Sequence, residues 1–126
     1  MDSAYEILLC LILAGCKICI VSMGTLPNLK GKEIWLKNHI PNFKNTKNIE
    51  FIGCDLDRYK DKSHIDMSDG ILIDDEVKNL NSSNAKLKIC FGDKYNWNES
   101  WAGIRCFNWY DIKRFLSTEW KVIWIS

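Results

Sequence analysis

The chain has 126 residues, 47% hydrophobic and 26% charged, enough for one domain with a core of its own and no need of disulfide or metal staples. Lys plus Arg (17) and Asp plus Glu (16) nearly cancel, leaving a net charge of +1. That balance argues against a dedicated nucleic-acid binder, whose affinity is largely phosphate neutralisation, and against a polybasic membrane-surface protein.

Residues 4–14 have the spacing of a mostly buried helix, with Ala4, Ile7, Leu8 and Leu11 on one stripe and Gly15 as its stop. Their apolar run resembles a signal peptide, and Leu13-Ala14-Gly15-Cys16 resembles a lipoprotein cleavage box. No Lys or Arg precedes the run, and Lys17 ends it well short of a membrane span, so a buried helix is the preferred reading. Residues 17–21, a β-branched run, predict a strand covered on both faces, followed by a polar turn over 22–25.

An amphipathic helix is predicted over 29–39, with Ile34, Trp35 and Leu36 as its apolar side, a Glu33–Lys37 pair and Pro41 beyond its end. Strands are expected over 49–53, 70–73, 86–91 and 103–107, and a short helix over 76–81. Residues 54–69 read as irregular and 92–102 as a loop rich in Trp and Asn. Asn108 can cap a last helix over 109–116, with Asp111 at its third position and Trp109, Ile112 and Leu116 as its stripe. The tail, 118–126, has strand-like composition and no evident place. Strands alternating with helices define an α/β domain around a parallel sheet.

Six cysteines occupy 10, 16, 19, 54, 90 and 106. Cys10, Cys16, Cys19 and Cys90 lie in apolar runs, where Cys acts as a small buried hydrophobe, so reduced thiols are expected. Cys16 and Cys19 have CxxC spacing, but a zinc site needs two further ligands, and His39 and His64 are isolated. A redox CxxC sits at a helix N-terminus, whereas this pair opens a strand.

Three features fall at strand ends, where an open parallel sheet binds its ligand. Ser22, Met23 and Gly24 follow the first strand and offer a hydroxyl and backbone N–H groups to phosphate oxygens. Lys62, in the irregular segment, can add a neutralising charge. Asp74 and Asp75 end the third strand and suit Mg²⁺, which takes one or two carboxylates plus phosphate and water.

In this order the motifs resemble the haloacid-dehalogenase-like phosphatases, and within them the 5'(3')-deoxyribonucleotidases of the cytosolic type C group. VSMGT at 21–25 is similar to the family's second motif, Lys62 in DKSHID to its third, and GILIDDEVKNL at 70–80 to its fourth. KEIWLKNHIP at 32–41 and the WN…GIRCFNWYDI stretch at 97–112 resemble the group's later helix and its Asn-Trp region. The resemblance covers roughly residues 4–117, a partial Rossmann-like core with flanking helices, and leaves 118–126 as a separate tail. It implies Mg²⁺-dependent hydrolysis of a nucleoside monophosphate, phosphate held by Ser22, Met23, Gly24 and Lys62, and metal held by Asp74 and Asp75.

The family's first motif, DxDx[TV], carries the attacking Asp and the general acid on the central strand, and residues 1–16 supply neither it nor the substrate cap. Cys54-Asp55-Leu56-Asp57 repeats the DxD spacing, but Arg58-Tyr59 follows it where the family has small residues. The expectation is therefore a cytoplasmic phosphate- and Mg²⁺-binding domain without turnover: a fragment, a chain with a misplaced start or a degenerate paralogue. Without a central strand, sheet edges would stand open to a second copy or a partner chain, which makes a non-catalytic interaction module the alternative. A weaker third reading, single-stranded nucleic-acid binding, rests on Trp97, Trp101, Trp109, Trp120 and Trp124 interleaved with Lys94, Arg105, Lys113 and Arg114.

Overall fold

The computed structural model describes residues 6, 7, 10, 12, 15–40, 48–115 and 122–125. Its elements are β1 (Lys17–Gly24), α1 (Leu26–His39), β2 (Ile49–Asp55), β3 (Gly70–Asp74), α2 (Val77–Ser82), β4 (Leu87–Phe91), β5 (Ile104–Cys106), α3 (Trp109–Lys113) and β6 (Val122–Ile125). The six strands form one sheet in the order β2-β1-β6-β3-β4-β5, and every pairing is parallel. The predicted α/β class with a parallel sheet and flanking helices is the observed one.

Part of the tail that the sequence leaves unplaced is the central strand. β6 pairs with β1 on one side (Ile20 opposite Ile125) and with β3 on the other (Ile73 opposite Ile125). β6 thus lies between β1 and β3, where the sequence alone predicts no strand and open sheet edges.

Strand alternation sorts the side chains into two cores. One face buries Ile18, Ile71, Ile73, Ile89 and Ile123 with Cys106, Trp109 and Ile112 from β5 and α3. Glu6, Ile7, Cys10 and Ile12 are helical, and Ile7 and Ile12 pack on this face. The rest of the predicted helix over 4–14 lies outside the described residues. The other face buries Cys19, Val21, Cys54, Leu72, Cys90 and Trp124 beneath Met67, Leu80 and Ala85. No helix among the described residues is long and apolar enough to cross a membrane.

α1 starts three residues before the predicted position, with Thr25 as N-cap and Pro27 in its first turn, where the missing N–H costs nothing. Its buried residue is Leu29, whereas Ile34 and Trp35 are 49% and 56% exposed. Three consecutive residues cannot share one helical face, so the Ile34-Trp35-Leu36 triplet does not anchor α1 as predicted. The Glu33–Lys37 pair forms at 3.5 Å. Residues 56–69 contain no helix. Asx turns shape them, with Asp55, Asp61 and Asp66 each accepting the N–H two residues on. Asn108 caps α3 by accepting from the Asp111 N–H at 2.9 Å, as its sequence predicts. Leu116, the last member of the predicted stripe, lies outside the described residues.

All six cysteines are free, and burial pushes the Cys16, Cys19, Cys54, Cys90 and Cys106 thiols up, Cys19 to about 11. Cys10 departs from expectation, since it is exposed.

Two glycines test the packing in opposite directions. A Cβ on Gly70 would collide with the Val122 carbonyl oxygen across the β3–β6 pairing, whereas a Cβ on Gly31, inside α1, would meet nothing within 4 Å. Gly70→Ala is expected to lower stability by about 3 kcal/mol, the upper range for overpacking. Gly31→Ala should raise it by about 0.5–1 kcal/mol through lost unfolded-state freedom. Urea denaturation checks both, and a neutral Gly70→Ala would refute the central placement of β6.

Candidate functional site

The strand order fixes where a ligand crevice can open. The chain leaves β1 through α1 toward β2 and leaves β3 through α2 toward β4, so the two crossovers head for opposite edges of the sheet. They diverge above the carboxyl end of β6, which is the topological switch point of this fold.

Lys62 and Asp74 meet on one side of that point. Lys62 Nζ donates to Asp74 Oδ2 at 2.8 Å, with the two side chains only 1% and 0% exposed. Asp74 Oδ1 accepts the Glu76 N–H at 3.0 Å, so both carboxylate oxygens are engaged. A buried charge is tolerable only when paired and hydrogen-bonded in this way. Alternation along β3 puts Asp74 on the face of Leu72, and Cys54, at the end of β2, shares that face. Cys54 Sγ lies 3.6 Å from His64 Nε2, and the His64 ring stacks on Tyr59 at 3.7 Å.

Ser22 points elsewhere. It alternates with Ile18 and Ile20 on the opposite face, beneath α1, where its Oγ accepts from Lys32 Nζ at 2.7 Å. The structure therefore joins Lys62 to Asp74 but does not turn the Ser22 hydroxyl toward them. Met23 and Gly24 complete β1, and the Gly24 carbonyl accepts the Leu56 N–H at 3.1 Å.

Asp75 is exposed, and its carboxyl is held above the usual aspartate range, first by partial burial and then by the charge of Asp74. As donors for Mg²⁺ the two acids are unequal. Asp74 already has a cation and an N–H donor, and Asp75 is the carboxylate facing solvent. No group of three or more His, Cys, Asp or Glu side chains among the described residues is arranged to hold a metal. The donor set fits an ion that arrives with a phosphate and takes Asp75 as its protein ligand. It does not fit one held by protein alone.

Sequence reasoning missed the residue that organises the neighbouring loop. Asn98 is 0% exposed and bonds in four directions. Its Nδ2 donates to the Asp75 and Asp93 carbonyls at 2.9 and 3.2 Å. Its Oδ1 accepts from the Tyr95 N–H at 2.9 Å and from Arg105 at 3.3 Å, while Arg105 also reaches the Asn98 carbonyl at 2.7 Å. The Val77 N–H donates to the Trp97 carbonyl at 3.1 Å, so the loop after β4 is fastened to the start of α2. An Asn directly after a Trp, with an Arg seven residues on, was the available signal.

Of the tryptophans read as a stacking surface, Trp109 and Trp124 are buried and Trp101 is tied through its indole N–H to the Ile104 carbonyl at 2.9 Å. Trp97 is 49% exposed and stacks on Tyr95 at 4.6 Å, and Trp120 lies outside the described residues. Asp55 and Asp57 sit at the end of β2, an outer strand separated from β6 by β1. Asp55 Oδ1 serves there as the turn acceptor for the Asp57 N–H at 3.0 Å.

Comparisons with family models, with curated proteins and with solved structures return no match to this chain.

Two variants test the electrostatics. Lys62→Met leaves the Asp74 carboxylate buried without this cation and should cost about 3–5 kcal/mol, whereas the double change Lys62→Met, Asp74→Leu should recover most of that loss. A single-variant cost below about 1 kcal/mol in urea denaturation would contradict a dry pair. For Asp75 the folded state holds the proton more tightly than the unfolded state does. Its ionisation therefore penalises folding as pH rises through the aspartate range. Asp75→Asn should raise the melting temperature at pH 7, and the gain should fade as pH drops below about 4. A gain that is independent of pH would refute the assignment.

Proposed function

We propose that this chain is a phosphate-monoester recognition domain of haloacid-dehalogenase-like design that binds its ligand without hydrolysing it. The observation that carries the reading is the buried Lys62–Asp74 pair at the carboxyl end of β3, beside the divergence of the two crossovers above β6. Neutralised by Asp74, Lys62 adds little net charge of its own, and the pair serves to fix the end of β3 in one orientation. Met23 and Gly24 bring backbone groups to the same edge from β1, and Asp75 offers one carboxylate to a Mg²⁺ that accompanies the phosphate. The resemblance of motifs two to four to nucleotidases favours a nucleoside monophosphate among phosphate monoesters.

Turnover by the family's covalent route needs a carboxylate in line with phosphorus. Val122–Ile125 of the central strand carry none. Asp74 has both oxygens occupied, Asp55 ends the outer strand and Asp57 lies in the turn after it. The non-catalytic character of the alternative reading is thus retained, with a ligand in place of a partner chain.

Orthovanadate, a phosphate stand-in, should shift the backbone amide resonances of residues 23–24 and 74–76 in the presence of Mg²⁺. Asp75→Asn should remove the Mg²⁺ dependence, and p-nitrophenyl phosphate should remain intact beyond the blank rate. No shift at these positions would overturn the binding site. Phosphate release by the wild-type chain that Asp75→Asn abolishes would overturn the absence of turnover.

A further inference from the structure

Beneath α1, on the face of the sheet away from Lys62 and Asp74, a groove of about 180 Å³ is lined by Ile20, Ser22, Lys32, Trp35, Leu36 and Phe51. Three of these, Ile20, Leu36 and Phe51, are side chains with no polar atom to satisfy, and Trp35 adds an indole that is 56% exposed. The polar end is a single device, the Lys32 ammonium held 2.7 Å from the Ser22 hydroxyl. Among the described residues Lys32 has no carboxylate within ion-pair distance, unlike Lys17, Lys37, Lys62 and Lys78. An ammonium keeps two further donors after bonding one hydroxyl. The groove therefore combines flat apolar walls with one unneutralised positive end.

We propose that this groove is a binding site for a small aromatic anion, a single ring carrying one carboxylate or one phosphate group. The anionic group takes a charge-assisted hydrogen bond from Lys32 and a second bond from the Ser22 hydroxyl, whose proton is free to turn toward it. The ring lies between Phe51 and Trp35, where offset or edge-on packing adds to the burial of its surface. Size selects against larger ligands. The volume is below the roughly 300–1,000 Å³ typical of drug-sized sites, so the groove encloses a ring with one substituent and leaves the rest of a whole nucleotide outside. The site is separate from the phosphate reading above in both face and cation. It takes Lys32 where that reading takes Lys62, so either can fail alone.

The groove also explains why α1 leaves Trp35 out of the core. The helix is anchored by Leu29, packed against β2 where Gly53 has no side chain: a Cβ there would lie 3.3 Å from Leu29 Cδ1 and 3.4 Å from the Phe51 ring. That close approach at one end leaves the next turns, with Lys32, Trp35 and Leu36, standing over Ile20 and Phe51 with space between.

Benzoate and phenyl phosphate serve as the two anionic probes, with benzamide as the neutral control and adenosine monophosphate as the large one. Each is titrated into the ¹⁵N-labelled full chain without added metal. Benzoate or phenyl phosphate should shift the amides of Ser22, Lys32, Trp35 and Phe51, and whichever binds more tightly identifies the anionic group. Benzamide should bind about tenfold more weakly or not at all, the loss expected for one charge-assisted bond. Lys32→Met should erase that preference, and Lys32→Arg should keep it. Lys32 is exposed, so neither variant endangers the fold. Absence of shifts at these residues, or equal affinity for benzoate in wild type and Lys32→Met, would overturn the proposal. Equal affinity for adenosine monophosphate at this groove would overturn its size limit.

Discussion

The sheet is held together by four residues. β2 and β1 form one parallel pair, and β3, β4 and β5 form another group, and no strand pairing joins the two except through β6. Val122–Ile125 meet Lys17–Ile20 on one side and Gly70–Ile73 on the other, so a short segment late in the chain supplies hydrogen bonds to both halves. Its side chains are also divided, with Ile123 in one core and Trp124 in the other. Such pairings bridge large sequence separations, whose closure entropy must be met before the contacts return anything. Gly70 is the adaptation on the facing strand, since any side chain there would strike the Val122 carbonyl. Trp124 packs against the same point, and its buried indole N–H has no acceptor among the described residues, a penalty its large apolar surface must offset.

The same strand sets the electrostatics of the carboxyl edge. Because β6 separates β1 from β3, groups at the ends of those strands flank a crevice instead of touching. On the β3 side the chain buries a full ion pair, which adds little net charge to the crevice but fixes a carboxylate and an ammonium in one orientation. Its neighbour Asp75 faces solvent, its pKa raised first by partial burial and then by the charge of Asp74. Asn98 donates through its Nδ2 to the Asp75 carbonyl and Asp74 accepts from the Glu76 N–H, so the peptide that follows Asp75 is held by both its polar groups. A site meant to hold a ligand benefits from such fixed surroundings, because little ordering remains to be done on binding.

Much of this was legible in the sequence, for local reasons. The apolar runs of β1 and β3 announce buried strands, and Asn108 with Asp111 announces a capped helix. The errors have physical sources too. Val122-Ile123-Trp124-Ile125 reads as a strand, but its position between two strands far earlier in the chain is a tertiary fact that no local pattern carries. Ile34-Trp35-Leu36 is apolar in composition and not in periodicity, and Leu29, one turn earlier, is what the core receives. Lys62 was expected to neutralise a phosphate, and the sequence did not announce it as the buried partner of Asp74. Its surroundings are Asx turns, which look solvated in sequence while they fold the lysine inward. Ser22 was expected beside Lys62, and the structure turns its hydroxyl to the opposite face, because alternation along the strand decides which face a strand-end side chain takes.

That last point rests on register. Side chains along a strand alternate with a period of two, so a slip of one residue in β1 would carry Ser22 to the face of Cys54 and Lys62 and send Met23 beneath α1. The observed register places Ser22 opposite Gly53 and Gly24 opposite Asp55. Both glycines lie on the α1 face, and both are within reach of Leu29, which would be 3.7 Å from a Cβ on Gly24 and 3.3 Å from one on Gly53. A slip would replace Gly24 by a side chain at one of these positions and drive it into the helix. The two glycines therefore do more than admit Leu29. They hold the Ser22 hydroxyl with Lys32 on one face while Lys62 and Asp74 remain on the other, and so keep two cations of one sheet edge in separate chemical settings.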